Sequence, residues 1–455
     1  MTKRGVNPHE AFRHDDLDSF GYDWSRAADP GCAPKRPLKL LLPETAEEVA
    51  DLLSAMTEEE RRALRIRGKG HSSNDLVLSE DRNCTVLCME FMNRIRVSGD
   101  TVTLQAGAVL SEADAILAEY GLGFPVIGDH NEISAAGFAS VGGVSAASHR
   151  EGLFVDNVTA VQYVTRRGRV RIRTVTQPRR VRLLLARCGR GGVITEITCR
   201  VVPIDKRRKI LRNQRAFYSD FRAFLSAARE LMCMPSGVAP AGFMERGLWM
   251  DQPIGRRIFC VGQTSIYREV PPSWRGAFWN AVSHGYLHAL GRVAGRLPAR
   301  LDRLVQLLGV AGLILSPRWS SVRNIETFSD SVIDASVGDP SRMLIAFVPD
   351  AKFESVATRL YDLLREYREK TGCFTYIALY VKTIRSRFLQ CTVGSPCWEI
   401  VMYLGLRPSV LTDDLLEEIV EVIDGVCVEN GARRYMHTRT SKRFGEQVDP
   451  ARCGP

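Results

Sequence analysis

A chain of 455 residues is too long for one ordinary hydrophobic core, so two or three domains are expected. Hydrophobic residues make up 45% and charged residues 25%, the mix of a soluble globular protein. The formal net charge of +10 fits a solvated basic face, an anionic surface or an anionic ligand, and nucleic acid comes last because no helix-turn-helix, zinc-finger or RNP-like pattern is present.

Residues 1–36 are polar and irregular and read as an N-terminal arm, without the apolar stretch of a secretory signal. Leu38–Leu42 reads as a short strand. Thr45-Ala-Glu-Glu48 is a capping-box pattern that opens a helix bearing Val49, Leu52, Leu53 and Met56 at helical spacing. Leu64–Ile66 reads as a strand running into the polar loop 68–75. Thr85–Met89 and Thr101–Ala106 read as strands, and Ser111 is expected to cap a helix that Gly121 ends.

Residues 121–157 are rich in Gly, Ala and Ser, so they build little core of their own and either let backbone approach a ligand or form a surface loop. Val158–Val164, Val170–Val175 and Val193–Val202 read as strands. The basic run at 166–173 reads as a strand with one solvated charged face. After Pro203, the helical pattern Phe221–Met232 alternates with strand-like runs Arg257–Thr264, Met343–Val348, Phe374–Thr383 and Trp398–Leu406, and Thr412 caps a last amphipathic helix. This is a second α+β domain. The apolar run Leu304–Leu315 is too short to span a bilayer, so no membrane span is expected. The twelve cysteines show no disulfide framework and no metal-ligand spacing, which fits buried thiols in a reducing, cytoplasmic setting and no metal site.

Three segments carry the chemistry. In Arg67-Gly-Lys-Gly-His-Ser72 the glycines free backbone N–H groups to point into one concavity, a nest for phosphate oxygens, to which Arg67 or Lys69 adds charge. The following polar loop excludes a Rossmann fingerprint, and the string is not a P-loop. Ile133–Ser148 is a low-bulk run with repeated hydroxyls that suits a flat or extended ligand. Gly189-Arg-Gly-Gly-Val-Ile-Thr195 is a glycine turn feeding a β-branched strand.

In this order and spacing, the three segments resemble the FAD domain of the vanillyl-alcohol oxidase superfamily, the PCMH-type fold, over residues 37–203. The chain looks most like the cytokinin dehydrogenases, on Arg67–Ser72, Ser140-Val-Gly-Gly143, Gly192-Val-Ile-Thr195 and Asp220-Phe-Arg-Ala-Phe224, with weaker matches at Phe243–Gly247 and Tyr435–Thr438. The resemblance implies an α+β architecture. A PCMH-type two-subdomain FAD-binding domain (37–203) carries an α+β cap that shapes the substrate pocket (204–424), and a C-terminal tail (425–455) returns to the FAD domain. It also implies that Gly68, Lys69, Gly70, His71 and Ser72 hold the FAD pyrophosphate, with Arg67 alongside, and that His71 is covalently attached to the flavin. By the same likeness Ser140, Gly142, Gly143 and Ile194 lie against the cofactor. Ser145 lies beside a family serine whose strict register falls on Ala146.

The implied activity is hydride removal from a C–H next to nitrogen or oxygen of a small amine or alcohol, with electrons passing through FAD to oxygen or another acceptor. The family's proton-accepting carboxylate falls on Ala135 in strict register. Asp129 is the first substitute, ahead of His130 and Glu132, and the second domain is another source. Two features depart from the family: Gln177–Leu185 replaces an acidic, aromatic segment, and Pro455 ends the chain where relatives continue with a helix and a Pro-Gly turn. A sugar or polyol oxidase of the same superfamily and a catalytically impaired flavoprotein scaffold therefore stand as alternatives.

Overall fold

In the computed structural model, the described residues are Phe20, 37–72, 84–128, 132–145, 147–188, 190–203, 210–232, 244–254, 257–271, 273–296, 318–321, 341–407, 409–436 and 438–450. The N-terminal arm, apart from Phe20, and the 304–315 run therefore lie outside them. Up to Pro203 the elements are β1 (Lys39–Leu41), α1 (Ala46–Ser54), α2 (Glu58–Ala63), β2 (Arg65–Arg67), β3 (Thr85–Cys88), β4 (Ile95–Ser98), β5 (Thr101–Gln105), α3 (Leu110–Glu119), β6 (Leu122–Gly123), α4 (Ala135–Val141), α5 (Ser148–Glu151), β7 (Val158–Val164), β8 (Ile172–Val175), α6 (Pro178–Leu184), β9 (Val193–Arg200) and β10 (Val202–Pro203). Beyond it come β11 (Ile210–Tyr218), α7 (Phe221–Met232), β12 (Met244–Ile254), β13 (Arg257–Glu269), α8 (Trp274–Arg296), β14 (Trp319–Ser321), β15 (Ser341–Pro349), α9 (Phe353–Thr371), β16 (Phe374–Ile384), β17 (Cys397–Leu406), α10 (Asp413–Glu429) and β18 (Arg433–Arg434).

The chain divides into two compact units: one of residues up to Pro125, Glu132–Gly143 and Asn157–Pro203, the other of Val126–Asn131, Val144–Asp156 and everything from Ile204. The first unit holds a parallel three-stranded sheet ordered β1-β3-β2 and a five-stranded sheet ordered β4-β5-β9-β7-β8. Period-two alternation buries Val102 and Leu104 of β5, Ile197 and Cys199 of β9, and Val161 of β7 on one face.

Local details depart from the sequence reading where a backbone group finds another partner than the expected one. Thr45 does cap α1 by accepting from the Glu48 amide (3.1 Å), but the Glu48 carboxylate turns to the Glu44 amide instead of closing the box. The reciprocal capping box is one helix later, at Thr57 and Glu60. Ser111 lies inside α3 rather than at its cap. Val109 precedes that helix, and its first amide, Leu110, donates to the Ile133 carbonyl at 3.0 Å. The basic run is a strand only from Ile172. Arg166 is not a solvated charge, because its guanidinium donates to the carbonyls of Arg61, Arg62 and Leu64 and so caps the C-terminal end of α2.

The second unit is built on an eight-stranded sheet ordered β14-β11-β13-β12-β16-β17-β15-β18. One face is the core. Trp249, Leu379, Val381, Trp398, Ile400 and Met402 point from the strands into side chains of α7, α9 and α10. The α9 spacing Phe353, Val356, Ala357, Leu360, Leu364 follows the 3.6-residue period, and Phe353 stacks on Trp398 with ring centroids 3.7 Å apart. Burying each such side chain stabilises by about 1.5–3 kcal/mol. Asp220 caps α7 by accepting from the Ala223 amide at 2.8 Å, which accounts for the Asp at the head of Asp220–Phe224.

The segment after α10 belongs to this unit. β18 pairs with β15, and the fully buried Arg434 donates to Asp424 (2.6 Å), to the Ile345 carbonyl (2.9 Å) and to the Arg439 carbonyl (3.0 Å). An internal ion pair and a strand pairing hold residues 425–436 and 438–450 to the second unit's own sheet and helix. Removing one partner leaves a buried charge alone. Arg434→Ala is expected to lower stability by about 3–5 kcal/mol, read as a lower urea midpoint with an unchanged slope.

Candidate functional site

The first segment begins where β2 ends. The Arg67 carbonyl accepts from the Met89 amide at 2.9 Å, which fixes the exit of the strand from the sheet. Gly68 then passes so close to Ser134 that a Cβ there would lie 1.9 Å from the hydroxyl oxygen, so only glycine fits. Gly70 has φ +74°, and a Cβ on it would lie 2.2 Å from the Arg67 guanidinium. Arg67 is thus folded over its own loop, and its guanidinium also sits 5.6 Å from the Phe20 ring centroid. Lys69 pairs with Glu90 at 3.8 Å, so of the two cations Arg67 is the one laid against the glycine bend. His71 is half-buried.

Two observations in this loop fit an anionic ligand. The Ser72 hydroxyl is buried and has no hydrogen-bond partner. Among the described residues, no backbone acceptor takes the amides of Gly68, Lys69, Gly70 or Ser72. Buried polar groups are normally satisfied, and neighbouring unengaged amides form the concavity that phosphate oxygens occupy.

The second segment is not the surface loop weighed from its composition. Ser134 to Val141 is a buried cap and helix, with Ala135, Ala136, Phe138 and Ala139 all inaccessible or nearly so. Small side chains let α4 lie directly on backbone: the Ala135 amide donates to Ala108 (2.8 Å), that of Ala136 to Ala106 (3.1 Å), and that of Phe138 to Ser134 (2.9 Å). The helix start is thereby engaged by carbonyls. Gly142 and Gly143 end α4 at φ +116° and +71°. Ser140 is half-buried on the helix, and its carbonyl accepts from the Cys188 amide at 2.8 Å.

That last bond brings in the third segment. The Ala186 amide donates to the Ala139 carbonyl at 2.9 Å, and Ala186 and Cys188 both hold positive φ, +51° and +50°. Non-glycine residues in this region carry about 1 kcal/mol of strain each and concentrate at functional loops. β9 then starts at Val193, so the glycine turn leads into a strand. Ile194 is buried in β9 opposite Tyr163, and the Thr195 carbonyl accepts from the Ala106 amide at 2.9 Å. Gly189 lies outside the described residues. Segments one, two and three thus meet around α4 within the first unit.

Ser145 belongs to the second unit. Its hydroxyl accepts from the Ala147 amide (3.0 Å) and its own amide donates to the Ser148 hydroxyl (2.9 Å), so it builds a turn. Sequence reasoning stopped at Ser148 and passed over His149, and both are fully buried. The signal was present as a hydroxyl-rich run extending to a histidine. Asp156, also passed over, accepts from the Ser386 hydroxyl (2.6 Å) and the Phe388 amide (3.1 Å). Asp129, His130 and Ala146 lie outside the described residues. Glu132 lies within them and is exposed.

A second group was also missed. The face of the eight-stranded sheet opposite the core carries buried polar residues in register: Gln263, Ser265 and Tyr267 on β13, Lys382 on β16 and Glu399 on β17. Lys382 and Glu399 pair at 3.2 Å, Arg246 donates to the Tyr267 hydroxyl at 2.9 Å, and the buried Ser265 hydroxyl has no partner. Burying so many polar groups is costly unless they answer to one another or to a ligand.

Residues 37–173 match the family model described as "FAD binding domain". Among curated proteins, the chain is 28% identical over 204 residues to an uncharacterized oxidoreductase of the fasciation locus of Rhodococcoides fascians, covering 44% of this chain and 45% of that one. It is 28% identical over 230 residues to cytokinin dehydrogenase 1 of Oryza sativa subsp. japonica (47% and 42% covered) and 27% identical over 191 residues to L-gulonolactone oxidase of Bos taurus (40% and 40% covered). The matches thus span less than half the length of these relatives. The first unit accordingly carries an FAD binding domain of the PCMH type, in an α+β chain.

Gly68→Ala is expected to cost about 1–3 kcal/mol through the clash with Ser134. The double variant Gly68→Ala/Ser134→Gly recovers most of it, as read from paired urea unfolding curves.

Proposed function

We propose, from the FAD binding domain in residues 37–173, that this protein is an FAD-linked oxidoreductase acting on a small amine or alcohol. The observation that carries the reading is the buried, partnerless Ser72 hydroxyl in a loop where the amides of Gly68, Lys69, Gly70 and Ser72 meet no backbone acceptor among the described residues, set against the bare backbone of α4. Gly68, Lys69, Gly70, His71 and Ser72 would hold the pyrophosphate through their amides and the Ser72 hydroxyl, with the Arg67 guanidinium balancing its charge. Ser140, Gly142, Gly143 and Ile194 would bound the rest of the cofactor, and Ser145 would add a hydroxyl contact. When bound, FAD supplies a two-electron acceptor for a hydride leaving a C–H next to nitrogen or oxygen.

The protein's own part is to position the substrate and to take a proton from its N–H or O–H. Asp129 is assigned that second task. The half-buried His71 is assigned the covalent link to the flavin, an assignment that rests on the resemblance of Arg67–Ser72 to its family. Residues 204–424 are assigned substrate choice, and the unmet Ser265 hydroxyl on the buried polar sheet face supports this, because a closed structural network leaves no such open end. The electron acceptor is oxygen or another oxidant. A second reading, oxidation of a sugar-derived alcohol, is favoured by the likeness to the bovine L-gulonolactone oxidase.

Purified protein is expected to be yellow and to bleach on adding an amine or alcohol from a panel that includes polyols and sugar lactones. A colourless protein that takes up no added FAD would overturn the cofactor assignment. After acid precipitation the colour is expected in the pellet, moving to the supernatant in His71→Ala. Colour in the wild-type supernatant would mean a bound but unattached flavin. Asp129→Asn is expected to lower kcat by about a hundred- to ten-thousandfold while leaving flavin content unchanged. Undiminished turnover would remove Asp129 from the proton-accepting role.

A further inference from the structure

At the β14 edge of the second unit's sheet, β14 pairs Trp319, Ser320 and Ser321 with Arg212, Leu211 and Ile210, and the Asn213 amide donates to the Arg318 carbonyl at 2.8 Å. This register sets Asn213 and Arg318 opposite one another. Strand alternation puts Arg215 and Phe217 on the same face as Asn213. With Arg212 and Gln214 these residues line a pocket of about 360 Å³. Among the described residues, no carboxylate lines it.

Asn213 is only 5% exposed, yet neither its carboxamide oxygen nor its nitrogen has a hydrogen-bond partner. A buried group left unmet costs about 1–3 kcal/mol, and both a donor and an acceptor are unmet here. The arginines are held rather than loose: Arg212 lies 5.8 Å from the Trp319 ring centroid and Arg215 lies 5.6 Å from that of Phe217. Burial, and secondarily the Arg318 charge, hold the Arg215 guanidinium below its ordinary range. An anion placed between the two guanidiniums relieves that repulsion and gains charge-assisted hydrogen bonds. A pocket of this size admits more than a bare ion.

We propose that this pocket binds a small organic molecule through an oxyanion group, phosphate or carboxylate, held by Arg215 and Arg318 and completed by the Asn213 carboxamide. The site is independent of the flavin reading, since none of its residues belongs to the cofactor set.

The test titrates inorganic phosphate and malonate separately into the full-length protein at constant ionic strength, with chloride as the reference. Tryptophan fluorescence and melting temperature are followed. A saturable response to at least one anion is expected, and the tighter of the two identifies the group. Arg215→Gln and the exposed Arg318→Gln should each weaken binding roughly ten- to a hundredfold. Asn213→Leu should melt higher than wild type without anion and lose the anion-dependent shift. No saturable response beyond chloride, or a response unchanged in both arginine variants, would overturn the proposal. So would an Asn213→Leu protein that melts lower, because the amide would then have partners of its own.

Discussion

The amides of Ala135 and Ala136 donate to the carbonyls of Ala108 and Ala106, and the Ala106 amide donates to Thr195, so three stretches of the first unit meet backbone to backbone. Such an approach requires that nothing larger than a methyl group stand between them. Gly68 against Ser134 is the extreme case, with no room even for that. The Gly, Ala and Ser content of the α4 region follows from this geometry. A low-bulk helix cannot supply much apolar burial, so hydrogen bonds to neighbouring carbonyls fix its position instead. The site then inherits rigidity from main chain, which does not change rotamer.

The second unit solves a different problem. Its sheet has one apolar face under three helices and one face where polar side chains are buried. Two deep carboxylates on the helix side are paired: Asp251 accepts two bonds from Arg368 and one from the Tyr361 hydroxyl, and Asp424 answers Arg434 and the Ser441 amide. On the opposite face the matching is incomplete at Ser265 and Asn213. Structural polar groups tend to be closed networks, so these open ends are where binding is to be sought.

Much of this was legible in the residue pattern, for identifiable reasons. The β-branched runs at Val158 and Val193 and the amphipathic spacing after Thr412 report burial directly, and the structure places β7, β9 and α10 there. The α4 run misled because the same small residues that mark a loop also permit a helix wholly enclosed by backbone. Strand β12 was hidden by Gly247, Asp251 and Pro253, which read as breakers until the ion pair with Arg368 and the close seat of Phe224 against Gly247 are known. Helix α9 carried a readable period and went unnamed. For the site, the glycine positions were visible as a pattern, whereas an unmet hydroxyl at Ser72 or an unmet carboxamide at Asn213 depends on what surrounds it, and no spacing encodes that.

The order in which strands leave the ribosome bears on how such a chain is made. Strand β9 is the last long strand of the first unit in sequence, yet it sits between β5 and β7 in the middle of the five-stranded sheet. Until it emerges, β5 and β7 each expose an unpaired edge, and the carbonyl of Thr195 is not there to receive Ala106. The stretch that precedes β9 therefore emerges with two open strand edges, the kind of surface that invites non-native pairing. A truncation anywhere before residue 200 would remove the keystone of that sheet along with the end of the chain.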